Sequence, residues 1–268
     1  MVRFIVQDEI RKGITLPEDF EILTFSANDK NFDWKGWFKS LEQDYKPTVS
    51  FVSIPVARYI QKFLPKLKSS LLLPVSSSID DMNSIYNWHS WHTAIPIEFQ
   101  LNDSGVITTV RDILINNVCF EYQDVFCKPI SGWKSFTGFF CSAKDLSTEI
   151  NSLIQIEKIG LNELVLLSVT KEISEIEWRC FLIDGELVTA APYSWDEIDL
   201  EIDLPNPVKD LALRSALYLQ EYNDCFVIDI ALFGGKPKVI EINCVSTSGW
   251  YEGMDVTALF QSISNLYA

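Results

Sequence analysis

Apolar positions in the first third of the chain repeat with two different periods. RFIVQD, FEILTF, TVSFVSI and SSLLLPV are short runs rich in β-branched, aromatic or leucine residues and read as strands. WKGWFKSLEQD and VARYIQKFLPKL repeat their apolar residues every three or four positions and read as helices. Strands alternating with helices predict a small α/β unit with a parallel sheet. The pattern breaks at SSSIDDMNSIYNWHSWHTAIP, where serines and acids give way to an aromatic cluster, so a first boundary is expected around residues 80 to 95.

Beyond it the chain reads as strands AIPIEFQ, GVITTVRD, DVFCKPI and SFTGFFCS, a helix AKDLSTEINSLIQIEKI and a strand ELVLLSV. EIEWRCFLIDGELVTAAPY carries the dipeptide Asp184-Gly185 between two apolar runs, a strong hairpin signal. PVKDLALRSALYLQEY reads as a helix entered through Pro207, and DVTALFQSISNLY as a closing helix.

Between those helices lie CFVIDIAL and KVIEIN, joined by a turn rich in glycine and proline. In a strand, residues two apart share a face, so Glu241 and Asn243 point one way while Ile240 and Ile242 point the other. A hairpin centred near Gly235 sets Asp229 opposite Glu241, and three oxygen-bearing side chains converge. Burying two carboxylates without a counter-charge costs several kcal/mol or forces protonation. An oxygen-only set suits a hard cation such as Mg²⁺. A solvated polar face is the plainer alternative on periodicity alone. Asn243, a poor strand former followed by the small-residue stretch CVSTSGWYEG, favours a site.

Composition narrows the class. The 268 residues are 47% apolar, enough for a large core or two to three subdomains, and the formal net charge of −15 argues against a protein that grips nucleic acid by neutralising phosphates. The six cysteines form no C-x-x-C pair and sit mostly in apolar runs, which predicts reduced, buried thiols. The N-terminal residues are too polar for a secretion signal, and no apolar run approaches the roughly 18 to 20 residues of a membrane span. A soluble, cytoplasmic protein is therefore expected.

Two further groups carry potential chemistry. VFCKPISGWKSFTGFF places Lys128 at a strand end and Lys134 in a Gly/Ser loop, where two ammonium groups could clamp a polyphosphate. A solvated turn with two lysines is the simpler reading of that stretch alone. His89 and His92 are the only histidines and stand three apart in YNWHSWHT. With no third ligand nearby, a structural or substrate-contact role ranks ahead of zinc.

Taken in order, FCKPISG, ELVLLSVTKEI, Glu177 in EIEWRCFLIDGEL, Asp229 in FVIDIALF and the EIN of Glu241 to Asn243 resemble the ATP-grasp superfamily over roughly residues 96 to 268. The resemblance implies an α+β fold of two lobes, residues 91–168 and 169–268, preceded by a small α/β domain at 1–90. It implies ATP and Mg²⁺, with phosphate contacts from Lys128 and Lys134, adenine met by the backbone of Leu167, Ser168 and Val169, ribose held by Glu177, and metal held by Asp229, Glu241 and Asn243. The expected reaction joins a carboxylate to an amine, of an amino acid or peptide, through an acyl phosphate. Many members carry an arginine two residues before the metal-binding Asp, but Val227 stands there. Arg179 or Arg214 is then the candidate for stabilising the transition state, and a nucleotide-binding regulatory protein with reduced turnover is the alternative.

Overall fold

A computed structural model describes residues 2–44, 46–73, 86–116, 123–194 and 202–267. Its first unit is the expected parallel sheet. Strands β1 (Arg3–Gln7), β2 (Glu21–Phe25) and β3 (Thr48–Phe51) pair in the order β2-β1-β3, with helices α1 (Asp8–Arg11), α2 (Trp34–Leu41) and α3 (Ile54–Phe63) between and after them. The α2 helix begins where Asp33 accepts a hydrogen bond from the Gly36 amide at 3.0 Å, and α3 stops before Pro65, earlier than its apolar period suggested. The strand expected at SSLLLPV does not form over its described residues. Ser70 closes a 3₁₀ turn and bonds Ser50 at 2.8 Å, while the Leu72 amide donates to the Ser246 hydroxyl at 3.0 Å, so the backbone finds partners outside any ladder. Pro74, Val75 and most of the boundary stretch lie outside the described residues.

Helix α4 (Trp88–Ala94) leads into a 3₁₀ turn at Ile97–Phe99, where a strand was expected; only Gln100 makes an isolated bridge, to Val239. The second sheet is antiparallel, in the order β4-β7-β5-β6: β4 (Val106–Thr109), β5 (Asp124–Pro129), β6 (Phe139–Ser142) and β7 (Leu164–Val169). Helices α5 (Val110–Asn116) and α6 (Leu146–Gln155) accompany it. The expected strand GVITTVRD turns helical at Val110 because Thr109 and Asp112 cap each other: the Asp112 amide donates to Thr109 Oγ1 at 3.0 Å, and that hydroxyl donates to Asp112 Oδ2 at 2.6 Å.

The third sheet, order β11-β10-β8-β9, is built from β8 (Glu177–Ile183), β9 (Glu186–Tyr193), β10 (Cys225–Phe233) and β11 (Lys236–Asn243), with α7 (Asn206–Leu219) and the closing helix α8 (Val256–Asn265). Both hairpins use the turns the sequence announces: Asp184 and Gly185 have φ of 52° and 77°, Gly234 and Gly235 of 56° and 76°, the positive values a two-residue hairpin turn needs. In the second hairpin Phe233 faces Lys236 and the ladder runs without a break to Ile230 opposite Val239. Continued evenly, it would set Asp229 against Ile240. A bulge at that step makes Ile240 the extra residue, so Asp229 pairs with Glu241 and Val227 with Asn243. The expected partner is found, through a turn centred between the two glycines plus a bulge rather than a turn centred on Gly235.

The bulge also sorts the faces. Trp178, Cys180, Phe226, Ile228, Val239 and Ile242 pack with Val208, Leu211, Ala212 and Ala216 of α7 on one side. Phe181, Ile183, Cys225 and Val227 pack with α8 on the other, the side that also carries Glu177, Arg179, Asp229 and Glu241. The first sheet docks there too. Phe4 stacks on Phe260 with centroids 4.1 Å apart, Phe51 and Trp250 close the cluster, and the Trp250 amide donates to the Ile10 carbonyl at 3.0 Å. This aromatic cluster fixes the first unit against the charged end of the third sheet. Phe260→Ala empties its centre and is expected to cost about 3–5 kcal/mol, read as a lower denaturation midpoint by circular dichroism.

Candidate active site

The charged end of the third sheet is held by one buried ion pair. Arg179 and Asp229 stand opposite each other on β8 and β10, and the guanidinium grips the carboxylate with two bonds, Nε to Oδ1 at 2.9 Å and Nη2 to Oδ2 at 2.8 Å. Asn243, one step along β11, donates its Nδ2 to the same Oδ2 at 2.8 Å. Arg179 has a third bond, to the Gly249 carbonyl at 3.2 Å. Burial works against the guanidinium, but the paired carboxylate outweighs it and its pKa is driven further above the normal arginine range. The group is a permanent cation.

Glu241 reaches toward the second sheet. Its Oε2 lies 2.6 Å from Lys134 Nζ and its Oε1 3.7 Å from Lys128 Nζ, so two lysines from the neighbouring sheet and its loop share one carboxylate. Lys128 is 7% exposed, and its ammonium also donates to the carbonyl of Ile240, the residue expelled by the bulge, at 3.4 Å. Burial pulls the Lys128 pKa down while Glu241 pulls it back up. Burial raises the Glu241 carboxyl, but Lys134 and Lys128 prevail and hold it at about 2. Lys134 sits at φ 47°, in a tight turn where its amide bonds the Ser131 carbonyl at 3.1 Å.

Glu177 begins β8 on the same face, and burial raises its pKa even though the Tyr193 hydroxyl donates to it. Tyr193 stacks on Tyr251 at 4.6 Å, Arg179 lies beside both rings, and Lys12 Nζ from the first unit stands 3.9 Å over the Tyr251 ring. A cavity of about 120 Å³, lined by Gly132, Lys134, Arg179, Asn243 and Thr247, opens among these groups.

The structure therefore brings together Lys128, Lys134, Glu177, Arg179, Asp229, Glu241 and Asn243. Arg214 is not among them: it is exposed on α7, stacked 4.4 Å from the Phe99 ring, and α7 covers the opposite face of the sheet. Its candidacy as the transition-state arginine is withdrawn on that ground. The strand edge expected at Leu167 is also absent, since β4 and β5 flank it, with Val106 on one side and Cys127 on the other. Only Ser168 and Val169 extend beyond the end of β4, and the Ser168 hydroxyl bonds Asn102 Oδ1 at 3.2 Å. His92 packs against Trp88 at 4.1 Å while His89 is exposed, and among the described residues no cluster of three His, Cys, Asp or Glu side chains could hold a metal. Cys127, Cys141, Cys180, Cys225 and Cys244 are unpaired; Cys119 lies outside the described residues. Sequence reasoning missed Lys12, which reaches the site only through docking of the first unit, and the paired tyrosines, which β9 and the segment after β11 bring together.

Asp229, Glu241 and Asn243 carry oxygen donors of the kind a hard cation takes, with both Asp229 oxygens bonded to Arg179. Two carboxylates face each other across one ladder step, and Asn243 spends its amide nitrogen on Asp229, which leaves its oxygen as the remaining donor atom. A family model described as an ATP-grasp domain, family 3 of its clade, matches residues 36–263. Among solved structures, a D-cycloserine synthetase has a TM-score of 0.60 at 14% identity, covering 100% of both chains. A phosphoribosylamine–glycine ligase from Thermotoga maritima gives 0.57 at 10% identity, over 91% of this chain and 68% of that one. A D-alanine–D-alanine ligase from Bacillus anthracis gives 0.50 at 16%, over 99% and 92%. No curated protein sequence matches the chain. At these identities the likeness is one of fold.

A depressed carboxyl pKa contributes stability above its unfolded value and loses it as pH falls through the folded value. Glu241 therefore stabilises the fold above its ordinary 4.5, and this contribution fades between about 4.5 and 2. Glu241→Gln should flatten the stability-versus-pH curve across that window, measured by urea unfolding at stepped pH; an unchanged slope would show that the two lysines do not hold the carboxylate.

Proposed function

Because the chain belongs to this family of ATP-grasp domains, we propose that it is an ATP- and Mg²⁺-dependent ligase joining a carboxylate to an amine, of an amino acid or peptide, through an acyl phosphate. One observation carries the reading. Three cations, Lys128, Lys134 and Arg179, interlock with two carboxylates, Asp229 and Glu241, at the meeting of two sheets. Such a set can exchange its internal pairs for a triphosphate and a divalent ion with little unpaired charge at any stage.

In this reading residues 91–168 supply the lobe over the nucleotide, residues 169–268 the metal-holding lobe, and residues 1–90 a wall of the acceptor site. Lys128 and Lys134 leave Glu241 for the phosphates. Adenine meets the backbone at Ser168 and Val169, and Glu177 takes the ribose hydroxyls. Asp229, Glu241 and Asn243 would hold Mg²⁺, which when bound neutralises phosphate charge as the γ-phosphoryl group moves. A cavity of about 120 Å³ is smaller than the roughly 300–1,000 Å³ of small-ligand sites. Admitting a nucleotide therefore requires the 131–135 loop to swing out as Lys134 releases Glu241.

A substrate carboxylate oxygen attacks the γ-phosphorus, the bond to the bridging oxygen breaks, and ADP leaves. The amine nitrogen then attacks the acyl carbon, loses a proton and expels inorganic phosphate. Arg179, opposite Asp229 where Val227 offers no charge, supplies the guanidinium beside the transferred group. That placement supports turnover over a merely regulatory role. ATP as co-substrate and the unpaired thiols support a cytoplasmic setting.

Incubation with ATP, Mg²⁺ and a mixture of amino acids and short peptides is expected to release ADP, and Glu241→Ala to lower that rate by about 10² or more. Full turnover in the variant would reject the metal assignment. The ion exchange gives a second test. With Lys134 competing for Glu241, Mn²⁺ should bind the protein alone only weakly by electron paramagnetic resonance and much more tightly with ADP, and Lys134→Gln should strengthen nucleotide-free binding about tenfold. Nucleotide-independent Mn²⁺ binding by the unaltered protein would contradict it.

A further inference from the structure

The loop that carries Lys134 has a second side. Gly132 and Lys134 line the inner cavity, whereas Ser131, Trp133 and Ser135, the alternate residues, line a separate cavity of about 590 Å³ on the outer side of the same loop. That volume falls in the range of small-ligand sites, roughly 300–1,000 Å³. Its walls come from four parts of the chain: α3, Asn87 at the start of α4, residues 130–135, and the segment from Glu157 to the start of β7.

The chemistry of the walls is of two signs. Arg58 lies 4.8 Å over the Trp133 ring and Lys158 joins it on the lining; Glu157 and Glu163 line the same cavity. Arg58, Lys158 and Glu157 are exposed, and among the described residues no ion pair joins any of them to another charged side chain. Glu163 gives one oxygen, Oε1, to the Ser135 hydroxyl at 2.7 Å. Trp133 is 3% exposed, and its indole N–H is buried without an acceptor. Opposite charges that face a common space without pairing are complementary to a ligand with both charges, and the half-buried Leu164 on the same lining suits an apolar side chain.

We propose that this outer cavity binds a zwitterion, a free amino acid or a short peptide, with its carboxylate on Arg58 and Lys158, its ammonium on Glu163 and Glu157, and its side chain beside Leu164, while Arg58 stays in contact with the buried Trp133 ring. The site lies outside the nucleotide cleft and does not depend on the ligase reading. It is nonetheless coupled to the cleft. Trp133 and Lys134 are adjacent in a turn fixed by hydrogen bonds from both their amides to Ser131, at 3.2 Å and 3.1 Å, so a ligand that shifts Trp133 shifts Lys134. Coupling between two ligands is reciprocal, so the zwitterion must alter nucleotide affinity as much as the nucleotide alters its own.

The test is saturation-transfer NMR and calorimetry on the full chain, with L-phenylalanine and Gly-Phe as zwitterions and 3-phenylpropionate and phenethylamine as single-charge controls. Saturable binding of at least one zwitterion is expected, with both controls at least fivefold weaker. The tighter of the two zwitterions identifies the source as free amino acid or peptide. Arg58→Gln and Glu163→Gln, both surface substitutions, should each weaken that binding at least fivefold, and the bound zwitterion should change the ADP dissociation constant in Mg²⁺ at least threefold. Binding of neither zwitterion, equal binding of the controls, indifference to both substitutions, or an unmoved ADP constant would each overturn the proposal. Failure of ADP to bind in any arm would instead sink the ligase reading, and the zwitterion measurements would still decide the outer site.

Discussion

The arrangement depends on a constraint of charge: at the end of one sheet the buried Asp229 and the half-buried Glu241 each need a counter-charge. Asp229 is 2% exposed, and an unpaired charge at that depth would cost several kcal/mol. The chain meets this with Arg179 from the adjacent strand for Asp229 and with two lysines from a different sheet for Glu241. The two solutions differ in permanence. The Arg179 pair is bidentate, buried and internal to one sheet, so it does not depend on how the two sheets meet. The lysine pairs cross between sheets, and Lys134 is 36% exposed along its side chain, so they are the contacts that can open.

A one-residue irregularity makes that geometry possible. Without the bulge, a regular ladder from the two-glycine turn would set Ile240 across from Asp229 and turn Glu241 toward the α7 side of the sheet. With it, both acids share a face, and the carbonyl displaced from the ladder becomes an acceptor for Lys128. The same residue thus supplies register to one sheet and a hydrogen bond to the next. A bulge at a ladder step between two functional side chains is a device for aiming them.

What the sequence displayed, and what it hid, follows from the range of the interactions. The hairpins at Asp184-Gly185 and Gly234-Gly235, the parallel α/β unit and helices α2, α6, α7 and α8 are set by local periodicity and turn chemistry, and were legible. The helix at Val110 was concealed by β-branched residues on both sides of a Thr109–Asp112 cap, a signal three residues long inside a strand-like run. The turns at Lys68–Ser70 and Ile97–Phe99 were hidden for a different reason: the residues that leave them, Leu72 and Gln100, are tied to Ser246 and Val239, far along the chain. At the site, Asp229, Glu241 and Asn243 announced themselves as polar residues in apolar strands. The Arg179–Asp229 pairing did not, because it needs β8 beside β10, and sheet order is not a local property. Arg214 looked equivalent to Arg179 in sequence, and only the choice of which sheet face α7 covers separates them.

The balance of charge also bears on what the cleft can accept. Over its length the chain carries −15, yet its cleft gathers three cations that are already committed to two internal acids. A bare triphosphate approaching such a site gains the lysines only by stripping Glu241 of its partners, and the freed carboxylate then repels it. A divalent ion arriving alone meets the reverse obstacle, since the lysines already occupy the carboxylate it needs. The two together remove both costs, because the anion takes the lysines and the cation takes the acid. On the proposed reading, selectivity for the metal–nucleotide complex over either component is therefore a consequence of how the empty protein neutralises itself, and it requires no recognition element beyond the residues that keep the fold intact.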